Sequence, residues 1–242
     1  MIVAVIPIRS GSVRCRDKNI RLLGGRPLVD WAIKPARYSK YIDMVVVSTD
    51  SQEYQNIAQK CGAMVPFLRP KELAEDVPTE MVIQHAVNEL EEKFPILNKN
   101  RIEIIVTLQC TSPFIESSYI DACVEALLKD KEADSSLTVK AVKEYPQWMY
   151  YSEGRYLKRL VGGNLKGDEG VSQKLPTLYI PTGMCYADRR ETIMDKGLII
   201  GEKPVPIIVP NERCIDIDYD IDFQIAETVG KYLNLIGGWR DV

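Results

Sequence analysis

The chain has 242 residues, of which 45% are hydrophobic and 27% are charged, and its net charge is −3. This length suits one large α/β domain, or a domain with a small appendage, and such a chain can bury a core of its own. A general nucleic-acid-binding protein would more often be basic, so the charge argues against that class. No apolar run approaches the length of a membrane span, and the first apolar stretch is too short for a signal peptide and lacks its basic lead.

The cysteines indicate a reducing compartment. Six cysteines are spread along the chain without a C-x-x-C pair, and there is a single histidine, His85. A zinc site is therefore not expected, and we predict reduced thiols in a cytoplasmic protein. His85 falls inside a predicted helix, and we interpret it as a structural residue.

The first 130 residues alternate between predicted strands and helices. An apolar run predicts a buried strand over residues 2–8, and Pro27 suits the first turn of a helix that carries Trp31. This alternation predicts a parallel sheet with helices on both faces. Further along, the pattern predicts a strand over 43–49, a helix from an N-cap at Ser51 to Gly62, a helix over 79–93, a strand over 102–109 and a helix over 116–129.

After Asp134 the pattern changes to short strands. We predict a β-rich excursion at about residues 138–182, whose exposed strands are candidates for subunit contacts. A final strand over 213–218 is expected to lead into a helix over 219–233. The short strands are predicted over 135–142, 147–153, 155–160 and 177–188, with a polar, Gly-rich loop over 161–170.

Polar side chains follow the predicted strands of the first half. In parallel α/β sheets, ligands bind past the carboxyl ends of the strands. We therefore expect a binding site where these side chains meet. The residues at these ends are Arg9, Ser48, Asp50, Gln109 and Thr111.

The first strand runs directly into a cationic loop, in the stretch VIPIRSGSVRCRDKNI. Phosphate oxygens bind backbone N–H groups and fixed cations. Arg9, Arg14 and Lys18 supply the charge, Gly11 allows a close approach of the backbone, and Ser12 adds a hydroxyl. The loop matches neither the dinucleotide fingerprint nor the Walker motif. We predict that it binds the phosphates of a nucleoside triphosphate.

Four aspartates recur at a spacing of two in CIDIDYDID, residues 214–222. If the strand ends near Asp218, then Asp216 and Asp218 form a pair on one face that suits a hard cation such as Mg²⁺. Asp220 and Asp222 then fall in the first helical turn, where the helix dipole favours them. The alternative is that all four serve as caps and surface charges.

Two further segments carry weaker signals. In LQCTSPF, Gln109, Thr111 and Ser112 could hydrogen-bond a polar substrate, although Thr-Ser-Pro is also common in turns. Arg69 is expected near the sheet edge, with simple surface charge as the alternative. If His85 is structural, any catalytic base must be a carboxylate or a metal-bound hydroxide.

Taken together, these segments resemble the sugar-activating cytidylyltransferases, above all the CMP-sialic acid synthetase (acylneuraminate cytidylyltransferase) family. The similarity covers nearly the whole chain in order. Val13 replaces the lysine of the family's opening motif, R-x-G-S-K followed after four residues by K-N, and Arg14 fits an arginine of the related 3-deoxy-manno-octulosonate enzymes. The residues that match this motif are Arg9, Gly11, Ser12, Lys18 and Asn19.

The resemblance implies a single domain over residues 1–242 with the mixed α/β sheet of nucleotide-diphospho-sugar transferases. It also implies a homodimer made through the excursion, CTP and a small sugar as partners, and Mg²⁺ on Asp216 and Asp218. These two aspartates would be catalytic together with Arg9 and Lys18. The implied nucleotide contacts are Arg9, Gly11, Ser12, Arg14, Lys18, Asn19, Arg69 and Thr79. The implied acceptor contacts are Gln109, Thr111, Trp148, Gln173, Tyr179 and Thr182.

Departures from the family pattern cluster in SQKLPTLYIPTG. Ser172 and Ile180 stand where arginines are expected, Thr182 replaces an asparagine, and Trp148 appears where some members have a lysine. Arginine clamps carboxylates with two hydrogen bonds, and neither serine nor isoleucine can do so. The nucleotide half of the motif set is therefore kept, and the acceptor half is altered.

The implied reaction transfers CMP from CTP to the hydroxyl of a sialic-acid-like (nonulosonic) sugar and releases pyrophosphate. Catalysis of this kind depends mainly on positioning and electrostatics. Three alternatives stay open. The acceptor could be another sugar or a sugar 1-phosphate, or the protein could bind a nucleotide without catalysis. The third alternative, an oxidoreductase on a dinucleotide fold, is disfavoured by the missing glycine fingerprint.

Overall fold

The computed structural model describes residues 1–12, 14–94, 102–161 and 171–237. Its strands are β1 (Ile2–Pro7), β2 (Leu22–Leu23), β3 (Arg26–Pro27), β4 (Met44–Ser48), β5 (Ile104–Leu108), β6 (Ser135–Ala141), β7 (Tyr150–Glu153), β8 (Tyr156–Arg159), β9 (Tyr179–Arg189) and β10 (Pro204–Ile208). Its helices are α1 (Asp30–Tyr38), α2 (Gln52–Lys60), α3 (Thr79–Lys93), α4 (Ser117–Lys129), α5 (Arg190–Met194) and α6 (Asp220–Tyr232).

Six of these strands form the central sheet, in the order β10-β6-β9-β5-β1-β4. β1 pairs in parallel with β4 and β5, and β10 pairs in parallel with β6. β9 alone runs antiparallel, between β5 and β6. The sheet is therefore mixed and mainly parallel, which confirms the predicted fold class.

Helices cover both faces of this sheet, as predicted. Side chains alternate between faces along β1, because successive residues of a strand point in opposite directions. Ala4 and Ile6 belong to the core shared with α1, α2 and α4. Val3 and Val5 belong to the core shared with α3 and α5. A third apolar cluster packs α6 against the start of α1 and the segment after β5, and it contains Leu23, Trp31, Phe114 and Phe223.

Most helix boundaries agree with the sequence. Ser51 caps α2 by accepting a hydrogen bond from the backbone of Tyr54, and Gly62 follows that helix with φ +91°. α3 spans 79–93 as predicted. The prediction for Pro27 was wrong. Pro27 pairs with Leu22 in a hairpin whose two turn residues are Gly24 and Gly25, both with positive φ, the geometry that a two-residue hairpin turn requires.

The predicted final strand over 213–218 is also wrong. Residues 211–213 form a 3₁₀ turn, and residues 214–219 have no partner strand among the described residues. The edge of the sheet is instead taken by β10, which the sequence analysis missed because Pro204 and Pro206 interrupt it. Proline is tolerated at an edge, where one side of the strand needs no hydrogen-bond donors.

The two ends of the predicted excursion belong to the central sheet, in β6 and β9. Between them, the described residues 142–161 and 171–178 lie outside that sheet and include the two-stranded hairpin β7–β8. The predicted loop over 161–170 falls almost wholly outside the described residues.

All six cysteines are unpaired. Among the residues that the structure describes, no helix has both the length and the apolar composition needed to cross a lipid bilayer.

Candidate active site

A cavity of about 380 Å³ opens at the carboxyl ends of β1 and β5. Its floor comes from the residues that follow these strands, and one side is closed by the segment 73–77. The parallel register explains this convergence, since β1, β4 and β5 end at the same edge of the sheet. The predicted site residues that line the cavity are Arg9, Ser12, Arg14, Lys18, Asn19, Arg69, Thr79, Gln109 and Thr111.

The cationic loop is anchored on both neighbouring strands. On the β4 side, Ser10 donates from its backbone N–H and its hydroxyl to the Asp50 carboxylate, at 3.0 and 2.6 Å. On the β5 side, the buried Asn19 donates to the carbonyl of Arg9 at 2.9 Å and accepts from the Cys110 thiol at 3.3 Å. A Cβ on Gly11 would meet no atom within 4 Å, so the space beside the loop is open to a ligand.

Two arginines contribute charge to the cavity in different ways. Arg9 is partly exposed, and its guanidinium pairs with Asp76 at 2.6 Å. Arg69 is only 5% exposed and donates to the carbonyl of Ile8 at 2.9 Å. Burial lowers the pKa of Arg69, and its Nε lacks a hydrogen-bond partner among the described residues. A buried donor of this kind is costly unless a ligand satisfies it.

Asp218 joins the acidic segment to the cationic loop. Lys18 Nζ donates to Asp218 Oδ1 and to the carbonyl of Ile217, each at 2.9 Å, and Arg14 lies 3.1 Å from Asp218 Oδ2. The hydrogen bond from Lys18 is the main cause that lowers the pKa of Asp218. The carboxylate of Asp218 is thus neutralised by two cations of the loop.

Asp216 lies in a different environment. Desolvation of its carboxyl raises the pKa of Asp216, although a hydrogen bond from the Thr111 side chain opposes this rise. The nearby charge of Asp218 raises the pKa further. The charge of Lys18 and the hydrogen bond from Thr111 only partly offset this rise, so a bound cation would stabilise the charged form of Asp216.

The other two aspartates of the segment organise the start of α6. Asp222 accepts the backbone N–H groups of Asp218 and Tyr219 at 2.9 and 2.7 Å. Asp220 is the first residue of the helix and pairs with Arg21. Their predicted place in the first helical turn is confirmed. This arrangement fixes the backbone on which Asp218 is presented.

The pair Asp216 and Asp218 is the best candidate for holding a divalent metal. No cluster of three or more His, Cys, Asp or Glu side chains suited to a metal occurs in the described ranges. Mg²⁺ does not need such a cluster, because it commonly binds one or two carboxylates together with substrate phosphates and water. The donor set of Asp216 and Asp218 therefore fits a metal that arrives with a nucleotide.

The remaining predicted acceptor residues are not brought to this cavity. The Thr182 hydroxyl is buried and lies 2.7 Å from the hydroxyl of Thr138, inside the sheet. Trp148 contacts Tyr145 edge-to-face in a 3₁₀ turn, Gln173 lies in another such turn, and Tyr179 begins β9 with its side chain exposed.

A second cavity of about 340 Å³ adjoins the first and shares Thr79 and Gln109 with it. Its walls also include Glu80, Tyr186 and residues 197–200. Burial contributes most to the raised pKa of Tyr186, and the charge of Asp216 makes the next largest contribution. Sequence reasoning missed Tyr186 and residues 197–200. The available signal was the apolar run Leu198-Ile199-Ile200, which stays partly exposed.

Comparisons with known proteins agree with this geometry. The family model described as "Cytidylyltransferase" matches residues 3–149. The chain is 33% identical over 227 residues to the CMP-N,N'-diacetyllegionaminic acid synthase of Legionella pneumophila, covering 93% of this chain and 94% of that protein. It is 26% identical over 232 residues to the pseudaminic acid cytidylyltransferase of Campylobacter jejuni, covering 95% and 96% of the two chains.

A solved structure shares the fold. It is the CMP:2-keto-3-deoxy-manno-octonic acid synthetase in complex with CTP, with a TM-score of 0.67, 14% sequence identity, and coverage of 94% of this chain and 97% of that one. The family match and the Legionella relative, together with this fold and cavity, define the protein as a nucleotidyltransferase. More narrowly, the chain belongs to the cytidylyltransferase family, which confirms the resemblance. Enzymes of this family generally use a divalent metal ion.

Proposed function

We propose that the protein transfers CMP from CTP to the hydroxyl of a nonulosonic sugar acid and releases pyrophosphate. One observation carries this proposal. The cationic cavity and the second cavity share Thr79 and Gln109, so a nucleotide in the first would touch a small acceptor in the second. Transfer reactions need this juxtaposition, because positioning supplies much of the rate enhancement.

The cationic cavity would take the nucleotide. Arg9, Arg14 and Lys18 would bind the triphosphate and stabilise the charge on the departing pyrophosphate. Gly11 and Ser12 would contribute to the cradle of the loop. The unpartnered Nε of Arg69 would donate to an acceptor atom of the nucleotide.

Asp216 and Asp218 would hold Mg²⁺. When bound, the ion would neutralise phosphate charge and lower the pKa of the attacking hydroxyl. Lys18 would have to share Asp218 with the ion and the triphosphate, because its Nζ already contacts that carboxylate. Thr111 would keep the Asp216 carboxyl oriented.

The second cavity would take the acceptor. Its apolar wall is partly exposed, with Leu198 at 40% and Ile200 at 37%, and exposed apolar patches often mark ligand sites. Glu80 is the one charged residue among the described lining residues. The carboxylate of the acceptor would therefore face the cations of the first cavity, and its methyl and acyl groups would face the wall. This favours a diacylated acid, such as the N,N'-diacetyllegionaminic acid in one relative's name, over the monoacylated sialic acid.

The excursion would form a homodimer and carry Trp148, Gln173 and Tyr179 toward the partner's acceptor cavity. Its surface is unusually apolar for a monomer. A charge substitution such as Leu157→Asp should then give a monomer by light scattering. The exposed apolar side chains are Met149, Tyr150, Tyr151, Tyr156, Leu157, Leu160, Val161, Val171, Tyr179 and Ile180. We place the protein in the cytoplasm, since its thiols are unpaired, as expected in a reducing compartment.

Pyrophosphate release tests the proposal when the four nucleoside triphosphates are crossed with a panel of acceptors. The panel contains legionaminic, pseudaminic and sialic acids, 3-deoxy-manno-octulosonate and several sugar 1-phosphates. Release with CTP and a diacylated nonulosonic acid of this panel is expected, with a lower kcat/KM for the monoacylated sialic acid. Release only with a sugar 1-phosphate would overturn the acceptor class. Bound CTP without release on any acceptor would support a non-catalytic protein.

A further inference from the structure

We propose that Tyr54, on α2, is a positioning residue that holds the cationic loop in the conformation that binds the nucleotide. It does so through Asp17, the residue before Lys18. The inference rests on the proposed function only in assigning the cationic cavity to CTP. Tyr54 itself does not line that cavity.

Asp17 occupies a special turn of the loop. Its φ is +53°, in the left-handed region that non-glycine residues seldom adopt. Its carbonyl accepts the backbone N–H groups of Ile20 and Arg21, both at 3.0 Å. The turn directs Lys18 toward the acidic segment and Asn19 toward the carbonyl of Arg9. An unfavourable backbone conformation of this kind persists only when its surroundings hold it in place.

Tyr54 supplies that support from the core. The residue is 1% exposed and belongs to the apolar cluster under α1 and α2. Its hydroxyl donates to Asp17 Oδ1 at 3.0 Å. Burial and this hydrogen bond raise the pKa of Tyr54, so the phenol stays a neutral donor. Among the described residues, the Asp17 carboxylate also forms an ion pair with Arg16, at 3.4 Å on the surface.

The hydrogen bond therefore connects a rigid helix to the residue that precedes Lys18. The Lys18 side chain is 16% exposed and reaches both the Ile217 carbonyl and Asp218. A loop that samples other conformations must be reordered when the triphosphate binds, and this lowers the apparent affinity. The effect should appear in CTP binding before any chemistry takes place.

The test is Tyr54→Phe, with Tyr41→Phe as a matched control. Tyr41 also donates its hydroxyl to a carboxylate, Glu125, at 3.0 Å, and it lines neither cavity. Calorimetric binding of CTP without acceptor and the KM for CTP are both measured. We expect Tyr54→Phe to weaken CTP binding and raise KM by about five- to tenfold, the size of one hydrogen bond. We expect Tyr41→Phe to change neither by more than about twofold.

Rescue separates positioning from general destabilisation. Asp17→Asn keeps an oxygen that can accept from Tyr54 and should bind CTP better than Asp17→Ala. Tyr54→Phe combined with Asp17→Ala should be no worse than Asp17→Ala alone. Unchanged CTP affinity in Tyr54→Phe, or additive effects in the double variant, would overturn the proposal. Wild-type protein that binds CTP without turnover would overturn the proposed function, yet the binding test would still decide the role of Tyr54.

Discussion

Lys18 and Asp218 are 200 positions apart in the chain, and their side chains meet at 2.9 Å. This pair joins the cationic loop to the acidic segment, so the proposed phosphate site and the proposed metal site would share one residue contact. The lysine also holds the backbone of the segment through the Ile217 carbonyl. The two motifs that the sequence singled out separately therefore lie in direct contact.

Asp218→Asn should lose well over ~10-fold in kcat, since removing a fixed charge partner in an active site typically costs ~2–4 kcal/mol. The measurement is steady-state pyrophosphate release at saturating CTP. Asp220→Asn is the matched control from the same segment, because Asp220 pairs with Arg21 outside the cavity. Its rate should stay within about twofold of wild type. Near-normal turnover of Asp218→Asn would remove Asp218 from the metal site.

Asp76→Asn should strengthen CTP binding by about twofold to fivefold. Asp76 pairs with Arg9, so a triphosphate must displace this carboxylate before it can use the arginine. The pair is partly exposed, and such pairs contribute ~0.2–1 kcal/mol. Calorimetry at low and high salt measures the effect, with Glu75→Gln as a control that removes charge without freeing Arg9. Weaker binding by Asp76→Asn would mean that the carboxylate helps to hold the ligand.

Gly183→Ala should raise the KM for the acceptor and also lower the stability of the fold. Gly183 has φ +78°, and an added Cβ would lie 3.0 Å from Gln109 Oε1 and 3.2 Å from Ser112 Oγ. Gly25 has the same φ, but an added Cβ there meets nothing within 4 Å. Both variants should lose ~1–2 kcal/mol of stability from the left-handed backbone. We expect a raised KM for the acceptor in Gly183→Ala and not in Gly25→Ala. An equal rise in both variants would contradict the idea that Gly183→Ala acts by displacing the Gln109 side chain.

Stability should fall as the pH rises toward 9, because of Asp188. Its carboxyl is fully buried, and neither oxygen has a hydrogen-bond partner among the described residues. Burial, followed by the charge of Asp134, raises the pKa of Asp188 to about 9, whereas an unfolded aspartate titrates near ~3.9. Between these values the folded state holds one more proton. The free energy of unfolding therefore decreases with pH, by up to ~1.4 kcal/mol per unit.

Urea unfolding at several pH values from 5 to 8 tests this account of Asp188. Asp188→Asn is neutral throughout and should lack this part of the pH dependence. If the free energy of unfolding depends on pH in the same way for the variant and the wild type, Asp188 does not bind the extra proton.

Local patterns allowed much of the fold to be predicted. Strand β1, the cap of α2 and the whole of α3 follow from residues close together in sequence, such as Ser51 and Gly62. The hairpin at Pro27 was missed because a Gly-Gly pair supports either a loop or a tight turn. β10 was missed because proline disfavours strands everywhere except at an edge, and the sequence does not show which strand forms the edge.

The parts of the site that could be predicted are those whose residues lie close together in the sequence or at the ends of neighbouring strands. Arg9, Gly11 and Lys18 share one loop, and the ends of parallel strands converge by topology. Other features depend on tertiary packing, which the spacing of residues in the sequence does not reveal. They are the pairing of Arg9 with Asp76, the contact of Tyr54 with Asp17 and the apolar wall of the second cavity. The roles of Trp148, Gln173 and Tyr179 stay predictions, since they would depend on the proposed homodimer.

The two adjoining cavities are proposed to join a nucleotide to a sugar acid. Mass spectrometry of the reaction of CTP with a deoxy, acylated nonulosonic acid tests it most directly, with pyrophosphate measured in parallel. We expect one product with the mass of the CMP ester of that acid, formed in equal amount to pyrophosphate. A product that retains two phosphates, or consumption of CTP without any nucleotide-linked sugar, would contradict it.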